Sequence, residues 1–302
     1  RPLVSEREFD RSAPLLSTLG RFARTAGSDG YLVGGAARDL LLRRSPVDLD
    51  VAVEGPVRSV TSLVSALAAE AGWSVEARHE RFGTAKLRGP DGTGIDIAAT
   101  REETYPFPGA LPVVSTGVSI QKDLGRRDFT VHAMAFRLSD AGVEPRLLDP
   151  FGGEIDLESR CLRLLHEGSL ADDPTRVFRA ARYAARLGFE VDPGFAEALR
   201  RGIESGSFVR ISGDRLRRSL QEVLSEQNRG MAVEILARYG VFDVLVEGWD
   251  VPVAVARDLS GIPGPEVAWV RLLSPASPSL RERVASRLNF SRALRRAVGC
   301  PR

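Results

Sequence analysis

The chain has 302 residues, of which 43% are hydrophobic and 27% charged, with a net charge of +2 and two cysteines. That length buries a substantial core and allows two or three domains. No apolar stretch approaches the roughly 20 residues of a membrane span, and no signal-peptide pattern is present. Cys161 and Cys300 are too few for a disulfide framework or a structural zinc set, which suits a reducing cytoplasm.

In chain order, strand-length apolar runs alternate with helical stretches up to about residue 150. Residues 31–34, 47–53, 84–88, 95–99 and 131–138 read as strands. Residues 36–44 and 57–71 read as helices, the second stopped by Gly72. After "DPFGG" (149–153) the strand pattern fades. Residues 173–187, 193–201, 213–225 and 231–239 carry the helical period. The Pro- and Ser-rich stretch 251–280 reads as a loose connection to a last helical piece, 279–298. Charge is uneven: from 271 to 302 there are eight Arg against one Glu, a net +7. This fits either a solvated helix face or a phosphate-binding surface.

The stretch "YLVGGAARDLLLRRSPVDLDVAVEG" (31–55) concentrates the chemistry. On a strand, residues i and i+2 share a face, so Asp48 and Asp50 stand together while Leu49 and Val51 turn to the core. Two carboxylates that close repel unless a positive charge lies between them, and hard oxygen ligands suit Mg²⁺ with its water and phosphate partners. Upstream, Gly34 and Gly35 open a helix whose N-terminal N–H groups can meet a phosphate, with Arg38 in the first turn. Asp96, between Ile95 and Ile97, is a costly isolated carboxylate on an apolar strand. Placed beside 47–53, it completes a three-carboxylate site for two-metal nucleotidyl transfer.

"GGAARDLLLRRSPVDLD" resembles the first motif of the class II tRNA nucleotidyltransferases (CCA-adding enzymes) and of the bacterial poly(A) polymerases. "RRDFTVHAMA" (126–135), "LLDPFGG" (147–153) and "DDPTRVFRAARYAARLGF" (172–189) resemble the next three motifs in order. "RISGDRLRRSLQEVL" (210–224) resembles the fifth more weakly.

The resemblance implies an α+β protein with an N-terminal nucleotidyltransferase-fold domain, a mixed β-sheet and all-helical neck and body domains. It divides the chain into a catalytic head (1–153), a neck with the base-selecting motif (154–225) and an RNA-binding body (226–302). The chain is short for the family and begins at Arg1 without Met, which reads as a truncated or naturally reduced tail. Asp48, Asp50 and Asp96 are then the catalytic metal ligands. Gly34, Gly35 and Arg38 cradle the triphosphate, Arg126 and Arg127 contact phosphates, and Asp128 contacts the ribose. His132 departs from the family, which usually has Asn there.

The resemblance also implies that Asp173, Arg176 and Arg179 belong to the nucleotide-binding set. With Asp173 and Arg176 on one helix face, Asp accepts and Arg donates, matching the amine and ring nitrogen of C or A. The implied partners are the tRNA 3′ end and CTP or ATP, in the cytoplasm and without a membrane. Residues 101–125, rich in Pro and Gly, read as a mobile loop. CCA-, CC- and A-adding activities remain open, as do a poly(A) polymerase and a catalytically silent RNA-binding relative.

Overall fold

The computed structural model describes residues 6–46, 48–138 and 146–300. They form two compact units. The first runs to Thr104 and resumes from Pro112 to Ser159; the second takes Tyr105–Leu111 and continues from Arg160.

The first unit is built on α1 (Glu6–Thr25), β1 (Asp29–Val33), α2 (Gly34–Leu41), β2 (Asp48–Glu54), α3 (Val57–Glu70), β3 (Ser74–His79), β4 (Thr84–Arg88) and β5 (Gly94–Ala99). It continues through β6 (Arg101–Thr104), β7 (Val113–Thr116), α4 (Ile120–Gly125), β8 (Ala135–Arg137), β9 (Leu147–Leu148) and α5 (Gly153–Glu158). Seven strands form one sheet in the order β3-β4-β5-β2-β1-β8-β9. Only β2 and β5 pair in parallel; the other neighbours are antiparallel, so the sheet is mixed.

Alternation fixes its faces. Leu49, Val51 and Val53 on β2 and Ile95, Ile97 and Ala99 on β5 are buried, and α3 packs on β5 with Val60, Leu63, Val64 and Leu67 in the core. The intervening Asp48, Asp50 and Asp96 are left on the opposite face, which is not covered by that layer.

Several expectations shift. Val47 lies outside the described residues, and its strand starts at Asp48. The helix expected over 36–44 ends at Leu41, because Arg43 takes a left-handed conformation (φ 58°) ahead of Pro46. The run 131–138 is no continuous strand: Thr130–His132 form a 3₁₀ turn and only Ala135–Arg137 pair. Fully buried apolar residues carry no period that separates a turn from a strand. Within 101–125, β6 and β7 pair as an antiparallel ribbon and α4 follows, so the segment is structured rather than one loop.

The second unit contains β10 (Cys161–Leu162), α6 (Ser169–Asp172), α7 (Arg176–Leu187), β11 (Glu190–Val191), α8 (Phe195–Glu204), α9 (Ser207–Arg210) and α10 (Gly213–Leu224). Then come α11 (Arg229–Arg238), α12 (Val241–Leu245), α13 (Val253–Asp258), α14 (Gly264–Leu273), α15 (Pro278–Arg287) and α16 (Arg292–Ala297). It is helical apart from the two-residue parallel pair β10/β11. The stretch 251–280 is not a loose connection. Its prolines and serines start helices: Pro residues occupy the first turns of α14 and α15, and the Ser277 hydroxyl caps α15 by accepting from the Leu280 N–H. Trp269 on α14 is fully buried, edge-on to Phe290 at 4.9 Å.

Candidate active site

Parallel pairing of β2 with β5 sets Asp50 opposite Asp96 and Asp48 opposite Gly94. Neighbouring strands lie about 4.8 Å apart, so the three carboxylates gather on one face. Asp48 lies over β5: a Cβ at Gly94 would come within 2.5 Å of its Oδ1. Burial raises the Asp50 pKa, and Asp96 and Asp48 raise it further, against the opposing pull of Arg127 and Arg38. Asp96 also faces Lys86, its cross-strand partner on β4, at 3.8 Å.

Among the described residues, no three His, Cys, Asp or Glu side chains already close around one point. The donor set nevertheless fits a small hard divalent cation: it is anionic oxygen throughout, and burial, with Asp96 and Asp48 adding to it, disfavours the charged Asp50 carboxylate in the absence of a cation.

Positive groups line the same region. Gly34 has φ +65°, a conformation that L side chains rarely adopt, and a Cβ there would meet Arg127 Nη1 at 2.8 Å and Asp50 Oδ2 at 3.6 Å. The Arg127 guanidinium therefore lies against the β1–α2 turn and beside Asp50. Its Nη2 donates to Asp123 Oδ2 at 2.9 Å, while its buried Nε has no hydrogen-bond partner. A buried orphan donor beside a glycine turn is suited to an anionic oxygen. No side chain caps the N-terminus of α2. Gly35 differs from Gly34: a Cβ there would sit 3.6 Å from Arg38 Nη2, an ordinary contact.

Arg38 is buried, with Nε and Nη2 bonded to Asp39 Oδ1 at 2.8 and 2.6 Å. Its Nη1 lies 2.7 Å from His132 Nε2, and His132 Nδ1 lies 3.0 Å from Asp128 Oδ1. Arg126 is directed elsewhere, to Glu103 on β6 (3.1 Å) and to Asp123 (3.0 Å). The structure thus brings Arg127 to Gly34 and Asp50, and does not bring Arg126 there.

Asp123, unremarked in the sequence, organises both arginines. It is 1% exposed. Burial pushes its pKa up, but Arg127, Arg126 and the Arg101 N–H outweigh that and hold the carboxyl below its usual range. The signal was its spacing on the turn before "RRD", three and four residues from the two arginines.

In the second unit, Asp173 is not on the helix. It has an extended backbone between α6 and α7, so the expected shared face with Arg176 does not form. Its Oδ1 accepts from the Thr175 N–H (2.9 Å) and hydroxyl (2.7 Å) and from Arg215 Nη2 (3.1 Å). This turn-type bonding competes with helix at an Asp. Arg176 opens α7, buried, with Nη1 on Ser169 Oγ at 2.6 Å and its guanidinium over the Tyr105 ring at 6.0 Å. Arg179, one turn on, stacks over Tyr183 at 5.3 Å. Arg215 comes from the weakly matching fifth motif and also donates to Gly109 O at 3.3 Å.

The Arg-rich end divides by role. Arg271, Arg281, Arg287 and Arg295 bond to neighbouring carboxylates and carbonyls, whereas Arg283, Arg292 and Arg296 are exposed. Arg302 lies outside the described residues. No helix among those residues is long and apolar enough to cross a membrane.

Residues 30–163 match the Poly A polymerase head domain. The chain is 38% identical over 274 residues to a CC-adding tRNA nucleotidyltransferase of Deinococcus radiodurans, covering 88% of this chain and 70% of that protein. It is 37% identical over 227 residues to an A-adding tRNA nucleotidyltransferase of Geobacter sulfurreducens, covering 75% of this chain. That match spans only 25% of the relative's length. A solved structure of a CCA-adding enzyme in an apo form superposes with a TM-score of 0.80 at 29% identity, covering 94% of this chain and 69% of that one.

Proposed function

The chain belongs to the class II tRNA nucleotidyltransferase family, and from that premise we propose that it adds C, A or both to the 3′ end of tRNA from CTP or ATP, releasing pyrophosphate. The observation that carries this reading is the in-register placement of Asp50 and Asp96, with Asp48 alongside, next to the Gly34 turn and the Arg127 guanidinium.

In this reading Asp48, Asp50 and Asp96 hold the divalent cation, Mg²⁺. When bound, it lowers the pKa of the RNA 3′-hydroxyl and neutralises charge on the departing pyrophosphate. The protein's own groups orient the nucleotide. Backbone N–H groups at the start of α2 and the Arg127 donors bind triphosphate oxygens, Arg38 adds a further fixed positive charge, and Asp128 accepts from the ribose hydroxyl. Arg126, held by Glu103 and Asp123, supports Arg127.

Base choice falls to Asp173 and Arg176, an acceptor and a donor that suit the amine and ring nitrogen shared by C and A. A carbonyl in place of the amine would face the carboxylate unpaired, a cost of roughly 1–3 kcal/mol. The chain's two cysteines, neither of them in a disulfide, suit a cytoplasmic site of action beside tRNA.

One experiment tests the reading and separates its branches. The protein is incubated with tRNA ending before CCA, after C or after CC, with CTP or ATP supplied separately. Incorporation of CTP alone on the first two substrates means CC addition; ATP alone on the third means A addition; both mean CCA addition. Long adenylate tails on unrelated RNA favour the poly(A) polymerase reading. No incorporation with any pair overturns the proposal.

A further inference from the structure

His132 is one of three histidines in the chain and stands between two groups read above as nucleotide-binding. Arg38, His132 and Asp128 are 5%, 5% and 6% exposed, so water does not readily replace their mutual bonds. A guanidinium has donors and no acceptor. With Arg38 Nη1 2.7 Å from Nε2, Nε2 is the acceptor and carries no proton. The ring's single proton is then on Nδ1, donated to Asp128 Oδ1 at 3.0 Å. That same oxygen accepts from the Phe129 N–H at 3.0 Å, which fixes the carboxylate. The contacts therefore specify both the charge state and the tautomer of the imidazole.

We propose that His132 is a positioning residue that ties Arg38 to Asp128 through a neutral, Nδ1-protonated imidazole, so that the triphosphate and ribose contacts are set together and are released when the ring takes a second proton. The inference rests on the reading of Arg38 and Asp128 as nucleotide-binding residues. A second proton on Nε2 would aim an N–H at a guanidinium that cannot accept it. Arg38 would have to turn away, losing its fixed direction.

The charged groups around the ring set this balance. From α2 come Arg38 and its partner Asp39. Arg127 donates to the His132 carbonyl at 3.4 Å. Asp128 precedes the 3₁₀ turn, Asp156 on α5 is tied to the Thr130 hydroxyl at 2.6 Å, and Asp50 on β2 acts electrostatically with both Arg38 and Arg127. Asp128 favours the imidazolium, while Arg38 and Arg127 oppose it. Only the neutral ring satisfies Arg38 and Asp128 at once.

Two measurements test this on the full chain. The first is ¹⁵N imidazole NMR at neutral pH, with the His132 signals assigned by their loss in His132→Asn. The expected result is the Nδ1–H tautomer, the reverse of the form histidine favours in water; an Nε2–H ring or an imidazolium overturns the bridge.

The second measurement is CTP and ATP affinity from about pH 8 to pH 5.5, for wild type, His132→Gln and His132→Ala. Gln can donate to Asp128 and accept from Arg38 without titrating in this range. It should keep neutral-pH affinity within about threefold and lack the wild type's additional acid-side loss. The γ-phosphate's own titration is common to all three proteins and cancels in the ratio. His132→Ala should bind about tenfold more weakly at neutral pH. Equal affinities and parallel pH profiles in all three proteins overturn the positioning role. If no protein binds nucleotide, the functional reading fails, and the tautomer alone decides whether the bridge exists.

Discussion

Asp173 is bonded to Arg215, at 3.1 Å, and stands off the helix that Arg176 opens. The carboxylate proposed to select the base is therefore held by a residue 42 positions away in sequence, while Arg176 is fixed separately by Ser169. Asp173→Ala should lower the ratio of kcat/KM for CTP or ATP over UTP by about tenfold or more. Arg215→Ala should move the same ratio in the same direction, because Asp173 loses a donor that orients it. A ratio unchanged in both variants means that base choice lies elsewhere.

Asp50→Asn should cut nucleotide incorporation by at least about a hundredfold. It should also raise the melting temperature of the metal-free protein, since the buried carboxylate is already held above its usual pKa by burial, Asp96 and Asp48. Wild type should gain melting temperature in Mg²⁺, and the variant should gain much less. Thermal melts with and without Mg²⁺ check both; an apo variant less stable than wild type contradicts the crowding of charge described here.

The two glycines should separate fold from ligand. Gly34→Ala forces a side chain into a left-handed backbone against Arg127, and should destabilise by about 1–2 kcal/mol. Gly35→Ala should leave the melting temperature nearly unchanged, because its methyl makes only an ordinary contact with Arg38 Nη2 at 3.6 Å, yet weaken CTP and ATP binding by standing between the first turn of α2 and the triphosphate. Equal nucleotide affinity in Gly35→Ala and wild type would show that this turn makes no close approach to a ligand.

Asp123→Asn leaves Arg126 and Arg127 short of a buried counter-charge and should cost about 3–5 kcal/mol. The sign of its pH dependence follows from a folded pKa below the unfolded one. Its contribution is present above the unfolded value of about 3.9 and is lost as pH falls through the lower folded value. Urea melts should show the gap between wild type and variant narrowing only below about pH 4. A gap that narrows already near pH 6 assigns the titration to another group.

Neutralising Arg283, Arg292 and Arg296, the exposed arginines of the last helices, should weaken tRNA binding and flatten its salt dependence by about 0.7–0.9 per lost phosphate contact. Arg287→Ala should instead act on stability, because Arg287 donates to the Phe208 and Ile211 carbonyls. An unchanged salt slope in the triple variant leaves those arginines as a solvated face.

The features legible from the residues alone are local. Strand alternation put Asp48 and Asp50 on one face and Leu49 and Val51 on the other, since a period of two needs no partner to be read. Gly34 announced its turn because only a glycine takes φ +65° without strain. The motif order gave the family and so the mixed sheet. The Pro–Ser stretch 251–280 misled because helix-start residues and linker residues are the same types. Tertiary structure decided what depends on pairing across the chain. The β2–β5 register sets Asp96 against Asp50, and His132 joins Asp128 to Arg38, 94 residues away. Asp173 left its helix because its oxygen found Thr175 and Arg215. A side chain's propensity sets a small local bias, whereas partners such as Arg38 for His132 and Arg215 for Asp173 meet only once distant segments have packed, and a hydrogen bond to a charged group outweighs that bias.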